Sequence, residues 1–463
     1  MNKNPRRLAL LILEQLRNGR QTLDGNMEAF NSRYSQLAHR DRRLVYALVY
    51  GVLRWRAYLD WMTARFSRTP LHRIQAPVLD VLRLGLFQII FLERIPPSAA
   101  VNTSVDLAKA IAPQWVARFV NGLLRNVVRS RDRLPRPASH RDPVSVLSIE
   151  KSFPPWLVRR WYRRFGREQT VALLDALNTI APLTLKANTL RISRDDLTLQ
   201  LHHYAEHLTP TAWAPDGIEL RGLKRNLFES EAFQEGLFHI QDEAAQLVAL
   251  LLDAQPGHTI LDACAGRGGK SVHAAQYMNN HGRILALDHH AGKLDQLVTE
   301  SRRLGFTIIM PVQMDLNRPA ALNPSVCFDR ILLDVPCSGL GVIRRNPDAK
   351  WNCQPGELKA LARRQLCFLE DLCGFLAPNG VLVYTVCSFE PEENEQVVDA
   401  FLKKHSEFAI AGYPSGFPAV AAKAASTPRG CFQTLPHRHG MDGFFAAAFK
   451  RKPPVRGRAH PAY

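Results

Sequence analysis

The first 263 residues contain no cysteine, and all eight thiols fall between Cys264 and Cys431. None belongs to a Cys-x-x-Cys pair and no Cys/His spacing suits zinc, so no metal site is expected. The N-terminus is basic (Lys3, Arg6, Arg7), but its apolar run is broken at Glu14. Leu8, Leu11, Ile12 and Leu16 fit an amphipathic helix better than a secretion signal, so a disulfide framework is not expected either. Long apolar runs are also missing. The longest uncharged one, Leu84 to Leu92, is far too short to cross a bilayer. These absences point to a cytoplasmic chain with no membrane partner.

Acidic residues are scarce at the front. Residues 1–170 carry 30 Lys/Arg against 12 Asp/Glu, and residues 171–463 carry 30 against 30. The whole net charge of +18 therefore lies in the first part. A basic module joined to a neutral one suggests a polyanion-binding part attached to a working part. Arg dominates the excess, and its planar fork pairs bidentately with phosphate. A chain of 463 residues is long enough for two to four domains.

Apolar residues recur at three- and four-residue intervals over Arg7–Leu16, Arg42–Met62, Pro77–Phe91, Ala99–Ile111 and Val116–Val128. This predicts an all-helical bundle over 1–140 with Arg on its outer faces, closed by a proline-rich linker at 134–140. Residues 141–235 read as a small α+β domain. Its helix Trp156–Phe165 interleaves aromatics with Arg, which suits either base stacking or a Trp set in the core. Over 236–450, apolar strands at 259–263, 284–287, 307–312, 330–335 and 381–385 alternate with helices, and a last strand covers 443–449. That is a doubly wound α/β sheet of Rossmann-like type. The basic tail 451–463 is expected to be disordered.

The run Ile260 to Lys270 is a strand entering a glycine-rich turn and then a helix. Glycines let the backbone approach a ligand, and a helix N-terminus offers free N–H groups. Asp288, about twenty residues on, suits a ribose hydroxyl pair. The turn, Gly266-Arg267-Gly268-Gly269-Lys270, fits neither G-x-G-x-x-G nor a Walker A loop. S-adenosylmethionine is then the better nucleotide-like ligand, with Asp315 able to reach the adenine amino group. A structural glycine turn is the plain alternative.

Two further cysteines each close an apolar strand: Cys337 in Asp334-Val335-Pro336-Cys337-Ser338-Gly339 and Cys387 in Tyr384-Thr385-Val386-Cys387-Ser388. Strand ends of an open parallel sheet face the ligand crevice, so two thiols there suggest covalent chemistry. A thiolate adding to carbon 6 of cytosine would activate carbon 5 toward a sulfonium methyl. Asp334 stands where it could hold the N3/N4 edge of the base. Cys367 and Cys373, on one helical run, read as buried small hydrophobes. Glu390, Glu392, Glu393 and Glu395 read as acidic residues favouring the dipole of the next helix.

These motifs resemble the NOL1/NOP2/Sun family of RNA 5-methylcytosine methyltransferases, over Asp262–Lys270, Asp334–Trp351, Tyr384–Asn394 and Leu435–Phe445. Gln241–Ala245 is similar to the segment that precedes the cofactor loop in that family. The resemblance implies that Cys387 is the nucleophile, that Cys337 assists release, and that Cys264, Ala265, Gly266, Arg267, Gly268, Gly269, Lys270, Asp288, Asp315 and Asp334 contact S-adenosylmethionine. Residues 1–140 resemble the NusB-type RNA-binding domain of bacterial members, notably at Asp41–Leu44, Tyr50–Arg54, Ala100–Asn102 and Phe119–Arg125. That arrangement implies a monomer methylating one cytosine of 16S rRNA, in an unassembled or partly assembled small subunit.

Two departures stand out. Gly266 and Arg267 replace the usual Ala-Pro of the loop, and Arg267 adds a charge beside the ligand. Val386 replaces the usual Thr before the nucleophile, which bears on how the thiol is oriented. Neither removes an essential group, so an active enzyme is expected. The rival readings are the same chemistry on tRNA or 23S rRNA, a silent NusB-like RNA scaffold, and a nicotinamide oxidoreductase. The loop spacing and the two thiols disfavour the last.

Overall fold

The computed structural model describes residues 4–19, 22–137, 142–317, 323 and 325–453. Linker residues 138–140 and the tail from 454 lie outside them. By contact the chain forms two compact units: Met1–Thr179 with Ile343–Asn352, and Ile180–Val342 with Cys353–Tyr463.

The first unit is helical: α1 (Pro5–Arg17), α2 (Leu23–Arg33), α3 (His39–Phe66), α4 (Ala76–Phe91), α5 (Pro97–Ile111), α6 (Gln114–Arg129), α7 (Pro143–Glu150) and α8 (Pro155–Asn178). Local capping sets several starts. Asn4 accepts the Arg6 N–H ahead of Pro5, and Asp142 accepts those of Val144 and Ser145. The predicted apolar stripes supply the core, with Ile12, Val45, Leu48, Val81, Leu84, Leu124 and Val127 all buried. Gly51 lets α3 and α4 approach, because a Cβ there would fall 1.9 Å from the Phe87 ring.

Arg does not keep only to the outside of this unit. Arg83 is buried against Asp60 (2.7 and 2.8 Å) and Asp80 (2.7 Å), and Arg54 is buried with Nη2 on the Arg344 carbonyl at 2.8 Å. Trp161 is also buried, which decides for its core role in α8.

Helix α3 is broken at Trp55 (φ −108°, ψ 15°). A broken helix leaves main-chain groups that must find other partners. Here the Leu53 carbonyl accepts Trp351 Nε1 (2.6 Å), the Arg54 carbonyl accepts Lys350 Nζ (2.8 Å), and Ser152 Oγ accepts the Ala57 N–H (2.9 Å). Part of the sequence signature, Ile343–Asn352, thus serves as a brace inside the helical unit.

The second unit holds two sheets. The smaller is antiparallel: β1 (Leu183–Ala187), β2 (Ala205–Pro210), β3 (Gly217–Leu223) and β4 (Phe238–Ile240), in the order β2-β3-β1-β4. The larger comprises β5 (Thr259–Asp262), β6 (Arg283–Asp288), β7 (Ile309–Gln313), β8 (Phe328–Asp334), β9 (Leu376–Val386), β10 (Phe408–Ile410), β11 (Phe432–Gln433) and β12 (Phe445–Arg451). Its order is β10-β12-β9-β8-β5-β6-β7, with β11 pairing β12. Strands β5 to β9 run parallel, and β12 runs antiparallel to β9.

Parallel strands covered on both faces are apolar throughout, as Ile331, Leu332 and Leu333 show by their complete burial. The alternation in the sequence predicted six strands of this sheet; β10 and β11 are too short to give a period. Strand order reverses at β5, which opens a crevice at the carboxyl ends. Among the described residues no helix is long and apolar enough to cross a membrane.

Candidate active site

Four adjacent parallel strands end at one edge of the large sheet: β6 at Asp288, β5 at Asp262, β8 at Asp334 and β9 at Val386. A cavity of about 270 Å³ opens there, lined by Cys264, Gly266, Asp288, Asp315, Asp334, Cys337 and Cys387, with Met314, Leu316 and Phe368 as apolar walls. Both sequence-predicted thiols and five of the predicted cofactor contacts therefore meet in one place. Ala265, Arg267, Gly268, Gly269 and Lys270 do not line it. Arg267 is exposed and borders a separate cleft with Phe228 and Phe233, so its charge does not face this cavity.

The glycine turn is fixed from behind. Gly268 has φ +81°, and a Cβ on it would lie 2.5 Å from Leu297 Cγ, so this position requires glycine. Asp288 accepts the Gly266 N–H (3.0 Å) on one oxygen and the His290 N–H (2.8 Å) on the other. His289 Nδ1 also lies 3.5 Å from Oδ1, so Oδ2 is the more open of the two oxygens. Gln241 donates to the Gly269 carbonyl (3.2 Å) and lies 3.0 Å from His273 Nδ1, which ties the Gln241–Ala245 segment to the turn. Asp315 is exposed on the rim and accepts the Asn317 N–H at 3.0 Å.

Asp262 accepts the Ser271 hydroxyl at 2.6 Å, and its other oxygen is buried without a partner. Burial pushes its carboxyl up to about 7; the Ser271 bond opposes this and the nearby Asp334 adds to it. Lys270 Nζ lies 2.5 Å from Asp334 Oδ2. Burial disfavours the ammonium, but the charge and hydrogen bond of Asp334, with the charge of Asp262 and others, together hold its pKa above the usual lysine value.

Cys337 and Cys387 are free thiols with their sulfurs 3.1 Å apart. The hydrogen bond to Cys387, then burial, then the charges of Cys387 and Glu393 push the Cys337 thiol well up. Burial also pushes Cys264 up, which fits an inert wall of the cavity.

Of the acidic run after Cys387, Glu395 does sit in the first turn of the next helix, where the dipole favours it, but the residues before it do not. The helix runs Glu395–Lys404, whereas Glu390 and Glu393 precede it and are completely buried. Glu393 accepts Ser338 N–H (2.8 Å), Ser338 Oγ (2.6 Å), Ser388 Oγ (2.6 Å) and Gln365 Nε2 (3.0 Å). Each of those serines directly follows one of the two thiols, a repeat of Cys-Ser that was the available signal. Cys367 is exposed, not buried, whereas Cys373 is buried as expected. Arg344 is buried in the helical unit.

Residues 249–450 match the family described as 16S rRNA methyltransferase RsmB/F, residues 3–129 the NusB family, and residues 153–224 the RsmF/B-like ferredoxin-like domain. Probable ribosomal RNA small subunit methyltransferase B of Synechocystis is 34% identical over 446 residues, covering 96% of this chain and 99% of the relative. The Bacillus subtilis protein of the same name is 36% identical over 420 residues, covering 90% and 92%. The chain belongs to the RsmB/F family. A solved methyltransferase homologue from Pyrococcus horikoshii, 27% identical, covers 67% of the chain and all of its own length with a TM-score of 0.57. The RsmB/F architecture is accordingly a NusB bundle, a middle domain and a Rossmann-like methyltransferase domain, as the sequence predicted; the middle domain, read there only as a small α+β unit, is ferredoxin-like.

Proposed function

We propose that this chain transfers a methyl group from S-adenosylmethionine to carbon 5 of a cytosine in 16S rRNA. The observation that carries the reading is the pair of thiols 3.1 Å apart at the ends of two adjacent strands, beside the Asp288 cavity. Membership of the RsmB/F family and the names of its relatives support the substrate.

The cavity residues suit the cofactor. Asp288, at the end of β6 in the cavity wall, fits a ribose diol; Asp315 fits the adenine amino group; Met314, Leu316 and Phe368 fit the flat base. S-adenosylmethionine bound there supplies an electrophilic methyl on a sulfonium whose bonding pair can return to sulfur.

Carbon 5 of cytosine is a weak nucleophile. The Cys387 thiolate adds to carbon 6, forming an S–C bond and moving the ring electrons onto carbon 5. After methylation a base removes the carbon 5 proton, the 5,6 double bond re-forms, and the Cys387 thiolate leaves. Cys337, beside the Cys387 sulfur, assists that release. Asp334, oriented by Lys270, holds the N3/N4 edge of a base taken out of its stack. Residues 1–140 and 141–235 serve as RNA-binding modules for the transferase in 236–450. Exposed Arg118, Arg125 and Arg129 on α6 support this division.

The test is methyl transfer to a 16S rRNA transcript. Cys387→Ala abolishes transfer, and Cys337→Ala accumulates a covalent protein–RNA band on a denaturing gel. Full activity of Cys387→Ala would sink the assignment. Bisulfite sequencing of RNA from cells lacking the protein is expected to show one lost site in small-subunit rRNA.

A further inference from the structure

We infer that Glu393 is a positioning residue that clamps the two thiol-bearing loops together. The inference rests on reading Cys337 and Cys387 as the reacting pair. Both thiols lie just beyond strand ends, where the β8–β9 ladder no longer fixes the chain. The serines that follow them turn to one carboxylate. Oε2 accepts both hydroxyls, Ser338 Oγ and Ser388 Oγ, each at 2.6 Å, while Oε1 accepts the Ser338 N–H and Gln365 Nε2. The two hydroxyls are 3.2 Å apart.

The clamp is itself held. Gln365 Nε2 also donates to the Pro336 carbonyl (3.1 Å), and its Oε1 accepts Tyr384 Oη (3.0 Å). The single Tyr384 O–H is shared between that oxygen and the Glu393 carbonyl, 2.6 Å from Oη. The loop before Cys337, strand β9 and the main chain of Glu393 therefore meet in one network. A completely buried carboxylate is costly unless its acceptor sites are filled, and four donors fill them here. Apolar side chains would close this space with less penalty, but they would not fix the direction of two loops. Catalysis needs that direction, since a misplacement of about 1 Å costs on the order of 100-fold.

The test uses the full chain and diamide as oxidant. Two thiols lose two protons and two electrons to diamide, which is reduced to the hydrazine, and a Cys337–Cys387 bond forms. Peptide mapping by mass spectrometry gives the closure rate. Glu393→Ala is expected to slow closure at least tenfold and lower kcat about 100-fold, with KM for RNA changed less than threefold. Glu393→Gln, which keeps one acceptor oxygen, is expected to fall between. If Glu393→Ala does not fold, Ser338→Ala and Ser388→Ala each cut one arm and are expected to slow closure severalfold. Closure rates and kcat within twofold of wild type in the folded variants would overturn the inference. A wild-type chain that closes the bond but methylates no RNA would defeat the proposed function while leaving the clamp in place.

Discussion

Asp262 and Glu393 are both buried carboxylates of the α/β unit, yet Asp262 receives one hydrogen bond and Glu393 receives four. Asp262 also shares its region with Asp288 and Asp334, whose charges oppose its ionisation, while Lys270 favours it. The cofactor end of the crevice is thus electrostatically uneasy, with a carboxyl that ionises near neutrality. The thiol end is saturated and rigid. A ligand with a cationic centre relieves the first region, whereas the second is finished before any ligand arrives. Charge removed from the cofactor end should therefore act through protonation, and groups removed from the thiol end through geometry.

The largest effect on activity should follow loss of Lys270. Breaking a fully buried pair by removing one partner costs about 3–5 kcal/mol; here Asp334 is 31% exposed, so solvent takes part of that cost. Lys270→Met leaves Asp334 beside Asp262 and Asp288 without its ion-pair partner. Urea unfolding at pH 7.5 is expected to show a loss of about 2 kcal/mol, and methyl transfer is expected to fall at least 100-fold. Near-wild-type stability would show that Lys270 does not balance this cluster.

The next effect, on stability alone, should be a pH dependence at Asp262. The Asp262 carboxyl rises from 3.8 to about 7 on folding, so the folded state binds its proton more tightly than the unfolded state. Its contribution to stability is complete below pH 4 and is lost as pH rises toward 7, up to about 4 kcal/mol. Asp262→Asn keeps an acceptor for Ser271 and has no charge to lose. Melts at pH 4.5 and 7.5 are expected to show wild type losing more stability than Asp262→Asn over that interval. Equal losses would mean that Asp262 titrates normally. The variant difference is the informative quantity, because buried His239, pushed down to about 3, works in the opposite direction in both proteins.

The same contrast explains what the sequence made legible. Asp262, Asp288 and Asp334 each end a strand whose apolar run is plain, so spacing alone set them at one sheet edge. Gly268 could be read as part of a glycine-rich turn, but its packing against Leu297, which admits no side chain, shows only in the fold. Glu393 could not be read from its own surroundings. Its partners Ser338, Gln365 and Ser388 come from three segments, and a run of glutamates before a helix already has a local explanation. Lys350 and Trp351 were hidden for another reason. They sit in the catalytic signature by sequence but brace α3 at its Trp55 break, and nothing local marks that break.

The smallest effect should come from restoring a hydroxyl at Val386. This side chain is completely buried, pairs in register with Phe445, and belongs to the apolar cluster of Leu333 and Val397. The adjacent Thr385 hydroxyl already occupies the Phe445 carbonyl at 2.9 Å. A new hydroxyl at 386 would enter the apolar cluster, at a cost of about 1–2 kcal/mol. The Cys387 loop is held on its other side, through Ser388 and Glu393. Val386→Thr is therefore expected to lower stability by about 1 kcal/mol while kcat stays within twofold. A tenfold rise in kcat would place control of the thiol in strand β9 and take it away from the Glu393 clamp.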